Sequence, residues 1–489
     1  MNPFGAQACL IDTASGATLL GGDLDARIEA MSRELRGFPA GLLLLPVGWD
    51  IDSVCRYLAA LHAHRPVALL APDADAGTIA ELCGRFQPAG IWQDHAPPDR
   101  PPIGYERTLH GLRRIERAAP THPELALLMT TSGSTGAARM VRLSRAGVLA
   151  NAHAIVAALD IGVHDVAPTS LPFHLGYGLS VLNSHLAAGA TVLVTAEPVI
   201  SPGFWSAVDR HRATSFAAVP HTYELLARLH WRPGAHPSLR VLTQSGSRMR
   251  AELAELVAGD MERVGGRFHL MYGQTEATAR MAVLPADQLH ARSASVGLAV
   301  PGARLTIRTE DGVETQAPDI SGEVIFHGPS VMMGYADAAA ALAHGDEHHG
   351  VLQTGDIGHF DTHGYLFLEG RLKRMAKIFG LRINLDAVER FASEAGAPGA
   401  SAAVSRDDDA IVLWCEGEPD PARLDRLARN VAERLRLNRR GVEARAIEHL
   451  PVLSNGKVDY RMLAAAAHAA LDTSVDTAVA QPSIDGTAA

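Results

Sequence analysis

Short apolar runs and longer amphipathic stretches alternate through the first two-thirds of the chain, and this rhythm constrains the fold more than any other feature. GLLLLPV at 41–47 reads as a strand, IDSVCRYLAALH at 51–62 as a helix, PVALLAP at 66–72 as a strand and residues 76–86 as a helix. The pattern returns with a helix over 146–159, strands over 190–196 and 214–220, and a helix over 221–230. This spacing predicts α/β layers with parallel strands.

After about Ala303 the texture changes. ARLTIRT, GEVIFHG and GYLFLEG are short β-type runs separated by Asp-Gly, Ser-Gly and His-Gly turns, which predicts a small antiparallel β subdomain. From Met375 onward a strand at 411–417, a charged helix near 421–436 and the segment 445–451 suffice for a small α+β unit of about 100 residues. Beyond Leu463 the chain turns to Ala, Thr and Ser with scattered Asp and reads as a frayed tail. The expected division is a large layered α/β domain over 1–371, a small lid over 374–466 and a disordered tail over 467–489.

The chain has 489 residues, room for about two to four domains. Its 47% hydrophobic and 20% charged content excludes a mainly disordered chain, a collagen-like repeat and a coiled coil. Lys plus Arg is 44 against Asp plus Glu 54, a net charge of −10, which argues against a nucleic-acid partner. Cys9, Cys55, Cys83 and Cys415 lie far apart without CxxC spacing, so neither a disulfide framework nor a structural zinc site is expected, and a reducing compartment fits. The first residues lack the basic and apolar regions of a secretory signal, and no run approaches the ~18 apolar residues of a membrane helix. A cytoplasmic protein without a membrane span is the expectation.

Four segments carry chemistry. TTSGSTGAARM (130–140) packs small residues and hydroxyls after an apolar run, a composition suited to a tight backbone around phosphate oxygens and not to a core. It is no Walker A loop, because no Gly-Lys-Ser/Thr follows at the required spacing. MYGQTEAT (271–278) sets an aromatic, a hydroxyl and a carboxylate within five residues. Residues 353–380 join a turn-borne Asp to a Gly-Arg pair, and LPVLSNGKVDY (450–460) puts a lone Lys on an Asn-Gly turn. Singly, each reads as an ordinary turn or surface feature.

In this order, over roughly residues 40–465, they resemble the adenylate-forming superfamily of acyl-CoA synthetases, nonribosomal peptide adenylation domains and firefly luciferase. The resemblance implies ATP-dependent activation of a carboxylic acid to an acyl-adenylate, then transfer to the thiol of CoA or of a carrier protein's phosphopantetheine. It implies that Thr131, Ser132, Gly133, Ser134, Thr135, Gly136 and Arg139 hold the phosphates, with Ser245, Gly246 and Ser247 near adenine. Tyr272 would stack on adenine beside Gly273, Thr275 would contact the α-phosphate, and Glu276 would ligate Mg²⁺, a hard cation suited to carboxylate oxygens. Asp356 would accept the ribose hydroxyls, with Arg371 as a second contact. Lys457 would bring its ammonium to the reacting oxygens. Lys373 matches the hinge, whose rotation would exchange Lys457 for a thiol tunnel lined by Lys377 and Gly380. His174, Tyr177, Val219, His221 and Gln244 would surround the acid.

Several positions depart from the family pattern. Arg139 stands where the phosphate loop usually ends in Lys, a planar fork in place of a point donor. His174 lies one place before the usual His. No Asp appears in 173–183 to pair with a substrate ammonium, which disfavours an α-amino acid, and the polar residues around the pocket hint at a small or functionalised acid. The His-rich run 344–349 contains a loop glycine and no cysteine, and reads as a solvated loop. Two rivals remain: an adenylate former with a non-thioester second step, and a non-catalytic acyl or nucleotide binder.

Overall fold

The computed structural model describes residues 3–4, 8–93, 101–130, 139–407, 409–418, 420–452 and 458–475. The chain forms two compact units. The first is drawn from Met1–Thr131, Ala137–Thr354 and His359–Phe367, and the second from Gly355–Gly358 and the chain from Leu368 onward.

The first unit is α/β. Its eight-stranded sheet runs, in spatial order, Gly334–Ala336, Met140–Ser144, Leu125–Thr130, Val67–Leu70, Leu43–Pro46, Gly90–Trp92, Gly111–Arg114 and Tyr105–Thr108. The central strands are parallel, with Leu43 opposite both Val67 and Gly90. Leu43, Leu44 and Leu45 are wholly buried, as a strand covered on both faces requires. The helices expected over 51–62 and 76–86 form with those bounds. Asp50 and Asp75 cap them, accepting from the backbone N–H of Ser53 and Thr78 at 2.7 Å each.

A second sheet of ten strands begins with the parallel set Ser215–Ala218, Val241–Gln244 and Arg267–Tyr272. It continues antiparallel through Ala282–Val283 and Ser295–Ala299. The antiparallel β region expected after Ala303 is present and extends this same sheet, with Arg304–Arg308 paired to Gly322–His327. The core beside the parallel strands is aromatic. Phe204 meets Phe216 edge to face at 5.9 Å, and Tyr223 meets Phe268 at 5.4 Å. The parallel strands end at 218, 244 and 272, and candidate site residues follow directly from each of those ends.

The second unit carries a hairpin, Met375–Ile378 with Leu381–Asn384, and a three-stranded sheet, Ser401–Arg406, Ala410–Glu416 and Val442–Ile447. Helix Pro421–Arg434 is capped by Asp420 and starts on proline, whose missing N–H has no role at that position. Arg374 ties the unit together, bonding Asp386 (2.8 Å), Glu389 and the Ala403 carbonyl (2.8 Å) while lying 3.8 Å over the Tyr460 ring.

One expectation fails here. The stretch read as a tail beyond Leu463 opens as part of a helix, Tyr460–Val475, with Leu463 and Ala467 buried. Alanine is the strongest helix former, so the run that looked featureless for want of aromatics is well suited to helix. Among the described residues all four cysteines are free and buried, and no helix is long and apolar enough to cross a membrane.

Candidate active site

Strand Arg267–Tyr272 ends on buried Tyr272, and the chain then folds tightly onto itself. Gly273 permits this: a Cβ there would stand 1.5 Å from the Ala279 carbonyl oxygen. The N–H groups of Ala277 and Ala279 both donate to the Gln274 carbonyl at 3.0 Å. Thr278 and Ala279 adopt φ of 57° and 96°, a left-handed pair without glycine, so the loop stores backbone strain. Thr278 Oγ1 holds it shut by donating to the Ser330 carbonyl at 2.6 Å, and Gln274 Nε2 donates to the Thr354 carbonyl at 3.0 Å.

This closure presents Thr275 and Glu276, both half-buried. The Glu276 carbonyl accepts from the Met332 N–H at 2.8 Å, and its Oε1 accepts from the Tyr335 hydroxyl at 2.9 Å. Tyr335 lies on the edge strand paired with Met140–Ser144, where Tyr335 stands opposite Val141. That register brings the guanidinium of Arg139 to 4.0 Å from the Tyr335 ring centroid. Burial and the Glu276 charge push the Tyr335 hydroxyl above its ordinary value, so the proton stays on oxygen and points at the carboxylate. Arg139, Tyr335 and Glu276 thus form one contact chain, and Tyr335 is a member that sequence reading missed.

Arg142 is buried beneath this strand. Its guanidinium bonds the carbonyls of Met333 (3.0 Å), Tyr335 (3.3 Å), Gly345 (3.2 Å) and His344, and pairs with Glu347 at 3.0 Å. The His-rich run 344–349 is an exposed turn in which Asp346 accepts from the N–H groups of His348 and His349. Among the described residues no group of three or more His, Cys, Asp or Glu is placed to hold a metal ion.

The pocket residues divide. Tyr177, at the start of helix Gly176–Ala187, shares a hydrogen bond of 3.0 Å with Thr243 Oγ1, and burial pushes its hydroxyl up to about 12. Val219 faces the 245–247 turn, its Cγ1 lying 3.2 Å from where a Cβ on Gly246 would stand. Ser245 is buried; Gly246 (φ 101°) and Ser247 are exposed. Gln244 is buried, but its amide donates to the Ser247 carbonyl at 2.7 Å, so it braces the turn. His221 is exposed and turned toward Glu224. His174 is half-buried, and its burial lowers the imidazole against the opposing pull of Asp73. A small internal pocket is lined by Thr275, Thr278, Gly176, Asn151, Ser180 and Asn183 among others. Directly after the loop comes Arg280, fully buried, its guanidinium 4.7 Å over the Tyr177 ring. Nothing in the sequence singled it out.

In the second unit Asp356 is 5% exposed and its Oδ1 lies 3.3 Å from Arg371 Nε, so these two residues meet. The Arg371 N–H donates to Asp386 at 3.0 Å. Lys373 is exposed on the short turn Leu372–Arg374. Lys377 and Gly380 lie on the exposed hairpin, whose turn uses φ of 50° at Phe379 and 84° at Gly380. Thr131, Ser132, Gly133, Ser134, Thr135, Gly136 and Lys457 lie outside the described residues.

Residues 42–336 match the family model of the AMP-binding enzymes. The chain is 30% identical over 393 residues to an indoleacetate–CoA ligase of Aromatoleum aromaticum, an overlap of 75% of this chain and 74% of that protein. It is 30% identical over 365 residues to an L-proline–[L-prolyl-carrier protein] ligase of Streptomyces coelicolor, covering 70% of this chain and 66% of the relative. It spans about half the length of other curated relatives it matches. In fold it is similar to o-succinylbenzoate CoA synthetase of Bacillus subtilis with its acyl-adenylate intermediate, with a TM-score of 0.74 at 20% identity over 93% of this chain and 94% of the other. The closed loop bearing Thr275 and Glu276, and a family match reaching through Tyr335 to Ala336, have one common reading: the chain belongs to the AMP-binding enzymes of the adenylate-forming superfamily.

Proposed function

We propose that the chain is an acid–thiol ligase that activates a carboxylic acid with ATP and passes the acyl group to a pantetheine thiol. A carboxylate oxygen attacks the α-phosphorus of ATP, the bond to pyrophosphate breaks, and an acyl-adenylate forms. The thiolate sulfur then attacks the acyl carbon and AMP leaves. One observation carries the reading. The strained loop after Tyr272 fixes the Glu276 carboxylate on Tyr335 while Thr275 lines an internal pocket.

The residues take roles that follow from their chemistry. Thr131 to Gly136 and Arg139 hold the phosphates, Tyr272 stacks on adenine, and Asp356 with Arg371 takes the ribose. Thr275 donates to the α-phosphate, and Lys457 stabilises the charge that grows there. Glu276 fits Mg²⁺: a half-buried carboxylate, with one oxygen already oriented, suits an ion that binds through one or two carboxylates plus phosphate oxygens. Bound there, the ion would neutralise phosphate charge.

Relatives named for CoA and for a carrier protein support pantetheine as the acceptor, because both end in that arm. Pyrophosphate release with Mg-ATP across short, hydroxylated, aromatic, fatty and amino acids, repeated with CoA, tests the reading. Release with one acid class that rises with CoA makes the chain a CoA ligase. Release indifferent to CoA assigns the acyl group to a separate carrier protein. Silence across the panel refutes the proposal.

A further inference from the structure

Arg142 and Arg280 are the most deeply buried arginines among the described residues of the first unit, and the fold treats them differently. Arg142 meets four carbonyls and a carboxylate. Arg280, 1% exposed, donates through Nη2 to Ser180 Oγ at 3.1 Å, and its Nε and Nη1 have no hydrogen-bond partner. Among the described residues no Asp or Glu pairs with it, and Tyr177 supplies only the face of a ring. The backbone of Arg280 is held in place. Asn151 clamps its backbone from both sides, donating to the Arg280 carbonyl at 2.8 Å and accepting from its N–H at 3.3 Å. A guanidinium stays protonated, and a buried charge without a counter-charge costs several kcal/mol.

Arg280 lines a mostly apolar cavity of about 30 Å³ whose other polar members are Asp165, Ser180, Ser184, His185, Ser215 and Thr243. By the measure that one water needs roughly 10–15 Å³, this is room for about two waters or one small polar group. The charges nearby are already satisfied. Asp165 accepts from Thr214 Oγ1 (2.7 Å) and Arg240 (3.0 Å), and His185 uses both ring nitrogens, on the Val181 carbonyl and on Ser215. Ser180 lines both this cavity and the pocket that Thr275 lines, so the two spaces adjoin. One carboxylate of an acid reacting beside Thr275 would leave the far end of a short molecule facing Arg280.

We propose that Arg280 binds a second carboxylate of the substrate, so that the acid this enzyme activates is a short dicarboxylic acid. This rests on the ligase reading above and adds the substrate class to it. The missing counter-charge arrives with the ligand, and a monocarboxylic acid leaves the buried donors unpaired, which is the situation that gives a polar pocket its largest discrimination.

The test is pyrophosphate release by the full chain with straight-chain diacids of three to six carbons, each against its monomethyl ester and the monoacid of equal length. The wild-type protein should favour a diacid over its half-ester by about 100-fold or more in kcat/KM. Arg280→Met should collapse that ratio to near one, and Arg280→Lys should leave it intermediate, since a point charge replaces the fork. Should Arg280→Met fail to fold, the wild-type ratio alone still decides. Wild-type release with monoacids and half-esters but no preference for any diacid overturns this inference and leaves the ligase reading standing. Absence of release with these and with the wider acid panel overturns both.

Discussion

Tyr335 donates its hydroxyl proton to Glu276 Oε1 at 2.9 Å, from a strand that the sequence separates from Glu276 by 59 positions. Arg139 covers the tyrosine ring at 4.0 Å, so it is joined to Glu276 through an aromatic spacer. A hydrogen bond to a charged group contributes about 1.5–3 kcal/mol. Tyr335→Phe should therefore lower pyrophosphate release by about tenfold at limiting Mg²⁺, with part of the loss recovered as Mg²⁺ is raised. Arg139→Lys keeps a cation beside the Tyr335 ring, where such a contact is worth about 0.5–1 kcal/mol, and should cost less than about fivefold. A Mg²⁺ titration of both variants tests this; equal losses would detach Tyr335 from the carboxylate's role.

The loop that carries Thr275 and Glu276 closes only because residue 273 has no side chain. A Cβ placed 1.5 Å from the Ala279 oxygen overlaps it completely, and Thr278 and Ala279 already occupy strained φ values. Gly273→Ala should cost about 3 kcal/mol or more and reduce adenylation at least about 100-fold. Thermal unfolding beside a steady-state assay reads both effects. A variant with full activity would mean the loop opens during the reaction.

Much of the fold was legible because it is written in contiguous pattern. The helices over 51–62 and 76–86 follow from apolar spacing between Asp caps, and the motif segments stand where parallel strands end. What escaped reading depends on pairing across the chain. Tyr335 looks like any strand tyrosine until its strand is set beside Met140–Ser144, and Arg280 looks like a surface arginine until helix Arg145–Leu159 covers it through Asn151. Gln244 reads as a pocket residue from the family resemblance and its polarity; its amide turns back onto Ser247, a local bond that composition does not reveal. The helix beyond Leu463 was missed because an alanine run signals helix without signalling what buries it.

Glu314 should set an acid limit on the antiparallel end of the large sheet. Partial burial would raise its carboxyl, but hydrogen bonds from Thr306 (2.8 Å), Arg308 (3.1 Å) and His327 (2.8 Å) prevail and hold it at about 2, below the ordinary 4.5. A depressed folded-state value gives stability that is present above the unfolded value and lost as pH falls through the folded one. Glu314→Gln should therefore lower the melting temperature above pH 4.5, and the two curves should converge as pH approaches 2. A gap of the same size at every pH would mean the residue acts by shape and not by charge.

Lys457 separates the two half-reactions if its ammonium serves only adenylation. Lys457→Ala should abolish pyrophosphate release by about 100-fold or more while a supplied acyl-adenylate still reacts with thiol. Rapid-quench measurement of each half-reaction distinguishes this from a general collapse of activity. Full adenylation by the variant would remove Lys457 from the chemistry.

Arg142 and Arg280 predict opposite stability changes for the same substitution. Arg142→Met strips four carbonyls and Glu347 of their partner, and breaking a buried network of this kind costs about 3–5 kcal/mol. Arg280→Met removes a buried charge that has one serine and one ring for company, and replacing such a charge by an apolar side chain of similar length is neutral or stabilising by about 1–4 kcal/mol. Without substrate, the first variant should melt well below the wild-type protein and the second at or above it. Adding Mg-ATP and a diacid should then raise the wild-type melting temperature more than that of Arg280→Met, because ligand binding stabilises only the protein that holds it. Equal losses of stability in both variants would make Arg280 a second structural arginine, with its counter-charge supplied by the fold and not by the substrate.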